Sequence, residues 1–311
     1  MMDIDELLRR YDAGERDFSQ INLPRANLTG LVLEGANLSG ANLTGANLTA
    51  VGFSHTNLSG ANLIEAYLTE ASFSHADLSG AKLTSAKLTG ASFSHTNLSG
   101  ANLINASLNN IDLHQANLSR SNLTRANLSG ANLYAANLNG ATLFDALLFN
   151  VNLYQAHLAE AILPRQLSKA NLSEIYLPEA QLHKAILSQA NLSDGNLSKA
   201  ILSEADLTWA NLTGIELSGA NLRNANLSGA ILIRSNLTGA NLAGADLSGS
   251  DLSDARLINA NLGGANLRET ILTNTDFSHA RLRGALVKIS DLNEAILTGT
   301  QMPDGTIHDY D

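Results

Sequence analysis

Phe53-Ser54-His55-Thr56-Asn57-Leu58-Ser59-Gly60-Ala61-Asn62-Leu63 recurs residue for residue over Phe93–Leu103, and Phe73-Ser74-His75 marks the midpoint between the two copies. The long period is therefore 20 residues. A shorter one runs inside it: from Phe18 to Leu163, and again from Leu167 to Met302, every fifth residue is large and apolar. Of these 58 central positions, 51 are Leu, five are Phe (Phe18, Phe53, Phe73, Phe93, Phe277) and two are Val287 and Met302. A small residue, mostly Ala, stands two places earlier, as at Ala36, Ala41 and Ala46, and Asn or Asp stands one place earlier.

A period of five fits neither regular element. On an α-helix successive Leu side chains would step round by about 140° and form no stripe. On one continuous strand every second Leu would face the wrong way. Three extended residues followed by a corner satisfy the pattern. Ala and Leu then point inward, Asn points outward, and Ser/Thr with Gly or a polar residue takes the turn. Four such sides close in 20 residues, so the expected coil is square. Stacked coils lie about 4.8 Å apart in parallel register, and about 14 of them make a rod of roughly 65–70 Å. Each buried Leu contributes on the order of 1.5–3 kcal/mol before ordering entropy is subtracted. Outside, Asn stacks on Asn and exchanges amide hydrogen bonds.

The spacing falls to four once, between Leu163 and Leu167. Either one residue is missing, or a nine-residue segment replaces one side. Large residues at the Ala position bias the choice: Leu31, Val51, Ile111 and Val151 precede the break, and Ile175, Gly195, Ile215, Ser235 and Thr275 follow it. Only the second alternative keeps both irregular sets on one face. The expectation is a bulged loop within residues 164–169, formed by Pro164, Arg165 and Gln166, with the solenoid continuing in phase. The organisation read from the sequence is thus an N-terminal capping helix over residues 1–14, a repeat region over 15–302 and a C-terminal cap over 303–311. Ile4, Leu7, Leu8 and Tyr11 follow helical spacing, with Asp3 as N-cap and Gly14 as terminator. Pro303-Asp304-Gly305 signals a turn, after which Ile307 and Tyr310 could close the end.

Composition narrows the function. The formal net charge of −10 disfavours direct nucleic-acid binding and attraction to anionic lipid. Without Cys there is no disulfide and no thiolate chemistry. The N-terminus does not read as a signal peptide, and no apolar run reaches membrane-span length, so a cytoplasmic location without membrane insertion is expected. No nucleophile–base set and no phosphate loop stands out, so no catalytic residue, cofactor or metal is expected and the chain does not read as an enzyme.

The Ala-(Asn/Asp)-Leu-X-X unit resembles the pentapeptide-repeat family over roughly residues 16–307. The resemblance implies an all-β fold, a right-handed quadrilateral parallel β-helix, dimeric in some branches, so that a homodimer is open here. The opening helix with Gly14-Glu15-Arg16-Asp17-Phe18, and the closing Met302-Pro303-Asp304-Gly305-Thr306, look like cyanobacterial members. One branch protects DNA gyrase by presenting an acidic, DNA-like surface. In this chain the carboxylates are scattered: one corner in 20-residue steps reads Glu65, Ser85, Asn105, Arg125, Asp145. The leading reading is a non-catalytic scaffold or rod that binds an unknown protein. The alternatives are acidic mimicry directed at gyrase and a polysaccharide-acting enzyme.

Three groups of side chains stand out against the repeat. Tyr134, Phe144, Phe149 and Tyr154 follow central Leu residues within two consecutive coils, and Trp209 holds another corner; exposed aromatics of this kind concentrate at interfaces. His55, His75 and His95 should form a surface ladder, too linear to surround a metal ion. Phe53, Phe73 and Phe93 should stack within the core.

Overall fold

The computed structural model describes residues 3–308, so Tyr310 lies outside the described residues. The chain separates into two compact units, Met1–Pro164 and Arg165–Asp311.

In the first unit, α1 (Ile4–Asp12) has Asp3 as N-cap, its carboxylate accepting the Glu6 N–H at 2.8 Å. Leu7 is fully buried. The Tyr11 hydroxyl donates to the Glu34 carbonyl at 2.9 Å, fixing α1 to the first coil. Gly14, at φ +95°, ends the helix with its N–H on the Tyr11 carbonyl.

The repeat then begins. Each outward Asn, Asp or equivalent pairs in parallel with the residue 20 later, from Asp17↔Asn37 to Thr142↔Ile162. Four bridges per 20 residues define a four-sided coil. The central N–H donates to the coil above, as Leu58 does to Asp77 at 2.7 Å; the next outward N–H donates to the coil below, as Asn62 does to Ala41 at 2.8 Å. Ala and Leu from Ala36 to Leu158 are almost all buried. The second residue of every corner is left-handed, from Gln20 (φ 59°) to Glu160 (φ 60°), although most of these residues are not glycine. The strain, about 1–2 kcal/mol per residue, is over-determined by two hydrogen bonds. At one such corner the His55 N–H reaches Ser74 at 3.0 Å, and the Thr56 N–H closes the turn on Phe53 at 3.1 Å.

Asn does more than stack. Asn42 donates to Asn22 at 2.7 Å, and its Oδ1 accepts both the N–H and the hydroxyl of Thr44. The residue before each Leu therefore builds its own corner as an Asx turn, which explains why Asn and Asp are preferred there.

The second unit repeats this arrangement from Gln166↔Ile186 to Arg281↔Gln301. Gln166 already pairs, Leu167 is buried and Lys169 is left-handed at φ 59°, so the repeat has resumed by Gln166, and only the inward place departs: Arg165 is exposed and Pro164 is buried beside it. The bulged loop expected over Pro164–Lys169 is not present, and its register is corrected: the corner after Leu163 is one residue short. Proline suits that position because it has no N–H to satisfy. The face marker misled because bulk at the Ala position reflects local compensation. Ile175 fills the space left by Gly195, its Cγ2 standing 3.4 Å from where a Cβ would be.

A second departure lies at the C-terminal end. Asp291 and Leu292 were expected on a regular side, but Ile289–Leu292 is a 3₁₀ helix with the Asp291 N–H on the Lys288 carbonyl at 3.0 Å. Leu292 stays buried. The described residues end in a two-stranded antiparallel pair, β1 (Thr300–Gln301) with β2 (Ile307–His308), which leaves Ile307 52% exposed rather than buried over the core.

Candidate partner-binding surface

Because the left-handed corner fixes the backbone whatever its side chain, corner positions can vary, and the distinctive chemistry collects there. Tyr134 and Tyr154 stack on one corner of the first unit, ring centroids 5.7 Å apart. Phe144 and Phe149 do not join them. They bracket a different side, with Leu147 pointing outward between them, and the three are 54%, 48% and 49% exposed. The expected single group of four aromatics is thus two groups. Leu147 was missed although its signal was legible: it takes an outward place that normally belongs to Asn. Ile162 replaces Asn in the same way and is also exposed.

Trp209 belongs to the second unit and stands alone. Its φ is 57°, it is exposed, and its indole lies across Gly229, where a Cβ would come 2.6 Å from the ring. The pairing needs glycine twice over, because Gly229 is itself left-handed at φ 66°.

His55 and His75 stack at 5.1 Å, and His75 and His95 at 4.8 Å. His114 meets His95 edge-on at 5.1 Å and holds the Asp112 carboxylate at 2.9 Å through Nδ1. Inside the same unit Phe53, Phe73 and Phe93 stack at 5.4 and 4.4 Å, all buried. Among the described residues no group of three or more His, Asp or Glu side chains is placed to hold a metal ion.

The acidic groups serve the ladders. Burial opposes ionisation of Asp246, but hydrogen bonds from Ser248 and Asn266 outweigh it and hold the carboxyl below its ordinary value of 3.8. Glu216 behaves likewise: burial is countered by Ser218, Asn236 and the charge of Arg256, and its carboxyl is lowered from 4.5. Along that column the sequence Glu216, Asn236, Arg256, Asp276 interrupts negative charge at every step. Among the described residues no helix is long and apolar enough to cross a membrane.

The family model for pentapeptide repeats matches this chain in eight copies, over residues 17–148 and 166–288. No curated protein matches it. Several solved structures do. HetL, a pentapeptide repeat protein involved in heterocyst differentiation regulation from the cyanobacterium Nostoc sp. strain PCC 7120, is 32% identical over 99% of this chain and 100% of its own, with a TM-score of 0.26. A second Nostoc pentapeptide repeat protein is 34% identical over 37% of this chain and 81% of its own, with a TM-score of 0.20. QnrB1, a plasmid-mediated fluoroquinolone resistance protein, is 21% identical over 45% of this chain and 85% of its own, with a TM-score of 0.30. At those TM-scores the assignment rests on the repeat match alone.

Proposed function

Because the chain belongs to the pentapeptide-repeat family, whose members fold as right-handed quadrilateral β-helices, we propose that it is a non-catalytic scaffold that binds another protein through its solvent-facing side chains. The observation that carries this reading is the apolar side of the first unit. Phe144, Leu147 and Phe149 occupy one outward strip, and no other coil of the first unit is apolar at all three matching positions: Pro24, Ile64 and Ile104 share the Phe144 column and Tyr67 the Leu147 column, while the Phe149 column is otherwise Thr, Asn or Ser. Such a strip costs solubility unless it is used, and large apolar residues within a polar surround mark interfaces. Tyr134 and Tyr154 supply a second, smaller contact, and Trp209 a third on the other unit.

The stacked coils are internally filled by Leu and Ala, which supports binding on the outside rather than chemistry within. The broken acidic columns argue against mimicry of DNA. The coil count of about 14 and the shielding of the first coil by α1 belong to the same proposal.

The test is affinity capture from native lysate with the wild type, with Phe144→Ser/Leu147→Asn/Phe149→Ser and with Tyr134→Ser/Tyr154→Ser. A partner held by the wild type should fall by about tenfold or more with the first variant, since buried aromatic anchors dominate interfaces. Equal capture by all three proteins removes the surface from consideration.

A further inference from the structure

Residues 255–288, where the regular coils end, carry charge of the opposite sign to the chain, and residues 289–308 that follow hold Asp291, Glu294 and Asp304 without Lys or Arg. Between Ala255 and Lys288 there are five basic residues (Arg256, Arg268, Arg281, Arg283 and Lys288) against Glu269 and Asp276, within a chain whose net charge is −10. Among the described residues Arg268, Arg281, Arg283 and Lys288 enter no ion pair, and all four are exposed. Arg268 and Lys288 share one corner, 20 residues and hence one coil apart. Arg283 holds the opposite corner of the same side. Like charges stacked this way repel, and among the described residues no carboxylate stands within ion-pair distance of them.

Between those corners the sheet is open. The Leu267 N–H donates to Leu286 at 2.9 Å and the Leu286 N–H to Ala265 at 2.8 Å, so this side is paired from below. Above it the chain has left the repeat for the Ile289–Leu292 helix. Among the described residues the Val287 N–H and the Ala285 carbonyl make no backbone hydrogen bond. They are the donor and acceptor that a further coil would engage. Leu286 is 43% exposed and Val287 only half-buried, and they line a recess of about 310 Å³ with Arg268, Glu269, Ala285 and Lys288. An unpaired edge of this kind is a template for a strand from another chain.

We propose that this edge binds an extended acidic–apolar peptide segment of a partner protein, added as one more parallel side above Ala285–Lys288. The inference rests on the scaffold reading but uses residues other than Phe144, Leu147 and Phe149. One residue of the peptide takes the place of the outward Asn: its carbonyl accepts the Val287 N–H and its N–H donates to the Ala285 carbonyl. Its side chain lies over Leu286. The residues on either side of it are apolar and cover Val287 and Ala285. Acidic residues beyond them face Arg283 at one corner and Lys288 with Arg268 at the other. Glu269 is the one carboxylate in the recess and favours placing the acids at the corners rather than over its centre.

The probe is fluorescein-labelled Asp-Glu-Val-Leu-Val-Glu-Asp, read by anisotropy against the full chain at low salt. Three comparisons accompany it: the same peptide N-methylated at Leu, a single-stranded DNA of equal charge, and the Arg268→Ser/Arg283→Ser/Lys288→Ser variant. All three substituted side chains are exposed, so the variant should melt as the wild type does. Saturable binding that falls about tenfold or more in the variant and is lost on N-methylation supports the proposal. No saturable binding by the wild type overturns it, as do equal binding by the variant, undiminished binding of the N-methylated peptide, or DNA bound as tightly. Because the probe is a defined peptide, a failure here leaves the capture result at Phe144–Phe149 standing, and the reverse also holds.

Discussion

Asp251-Leu252-Ser253-Asp254 and Asp291-Leu292-Asn293-Glu294 have nearly the same sequence and stand two coils apart in one column of the second unit. The first folds as a side and a corner: Asp251 bridges Ile271, Asp254 is left-handed at φ 59°, and the Asp254 N–H reaches Thr273 at 2.9 Å. The second folds as the end of a 3₁₀ helix and a turn. What differs is the neighbour above. Asp251 has a coil on top of it to accept its corner amides. Asp291 has none, and its own N–H, which on a regular side donates to the coil below as Asp251 does to Ala230 at 3.0 Å, turns to the Lys288 carbonyl. The repeat thus specifies which side chains face inward, while the square corner needs a second coil to hold its strained residue in place.

The sharpest way to stress this comparison is to remove packing from each region. Phe73 is fully buried between Phe53 and Phe93, and truncation of a core Phe leaves a cavity as well as losing transfer energy. Phe73→Ala should cost about 3–5 kcal/mol in urea unfolding. Val287→Ala, at a half-buried end position, should cost less than about 1 kcal/mol. Equal losses would mean that the end coil is as fully packed as the middle, contrary to the account.

A smaller effect comes from the ladders. The folded state holds Asp246 below 3.8, so its contribution is complete above the unfolded value and disappears as the pH falls through the lower, folded one. Asp246→Asn keeps an oxygen for the Ser248 N–H but no longer titrates. Chemical unfolding between pH 5 and about 2 should therefore show a shallower acid loss for this variant than for the wild type. Superimposable pH profiles would show that the depressed carboxyl is not coupled to folding.

Much of this was legible in the sequence. The period of five, the period of 20 and the inward Ala and Leu follow from spacing alone, and the stacking of Phe53, Phe73 and Phe93 and of His55, His75 and His95 follows from their 20-residue intervals. Three things were missed. The corner at Pro164 is ambiguous because Leu163-Pro164-Arg165-Gln166-Leu167 satisfies two registers, and only the pairing of Gln166 with Ile186 separates them. The grouping of Phe144 and Phe149 away from Tyr134 and Tyr154 was in the 20-residue period, which puts 134 and 154 on one corner and 144 and 149 on two others, and nearness in sequence hid it. The helix at Ile289–Leu292 hides behind an intact Leu spacing, and its one mark is Ile289, a β-branched residue in the second corner place, where none is left-handed elsewhere among the described residues. The apolar strip was overlooked for a simpler reason: Leu147 takes the outward Asn place beside the central Leu148 and was passed over as one more Leu of the repeat.

Amide hydrogen exchange, read residue by residue, tests the central claim most directly. In a regular pentapeptide four of the five amides find carbonyl partners, and the first corner amide meets only the Asn or Asp side chain. Leu247 and Gly249, bonded to Asn266 and Arg268 in the coil above, should exchange slowly, whereas Val287, one residue past the last regular pairing on the same side, should exchange at least about a hundredfold faster. Protection at Val287 equal to that at Leu247, or protection alternating every second residue along the repeat, would contradict a fold in which each coil is held in place by the next.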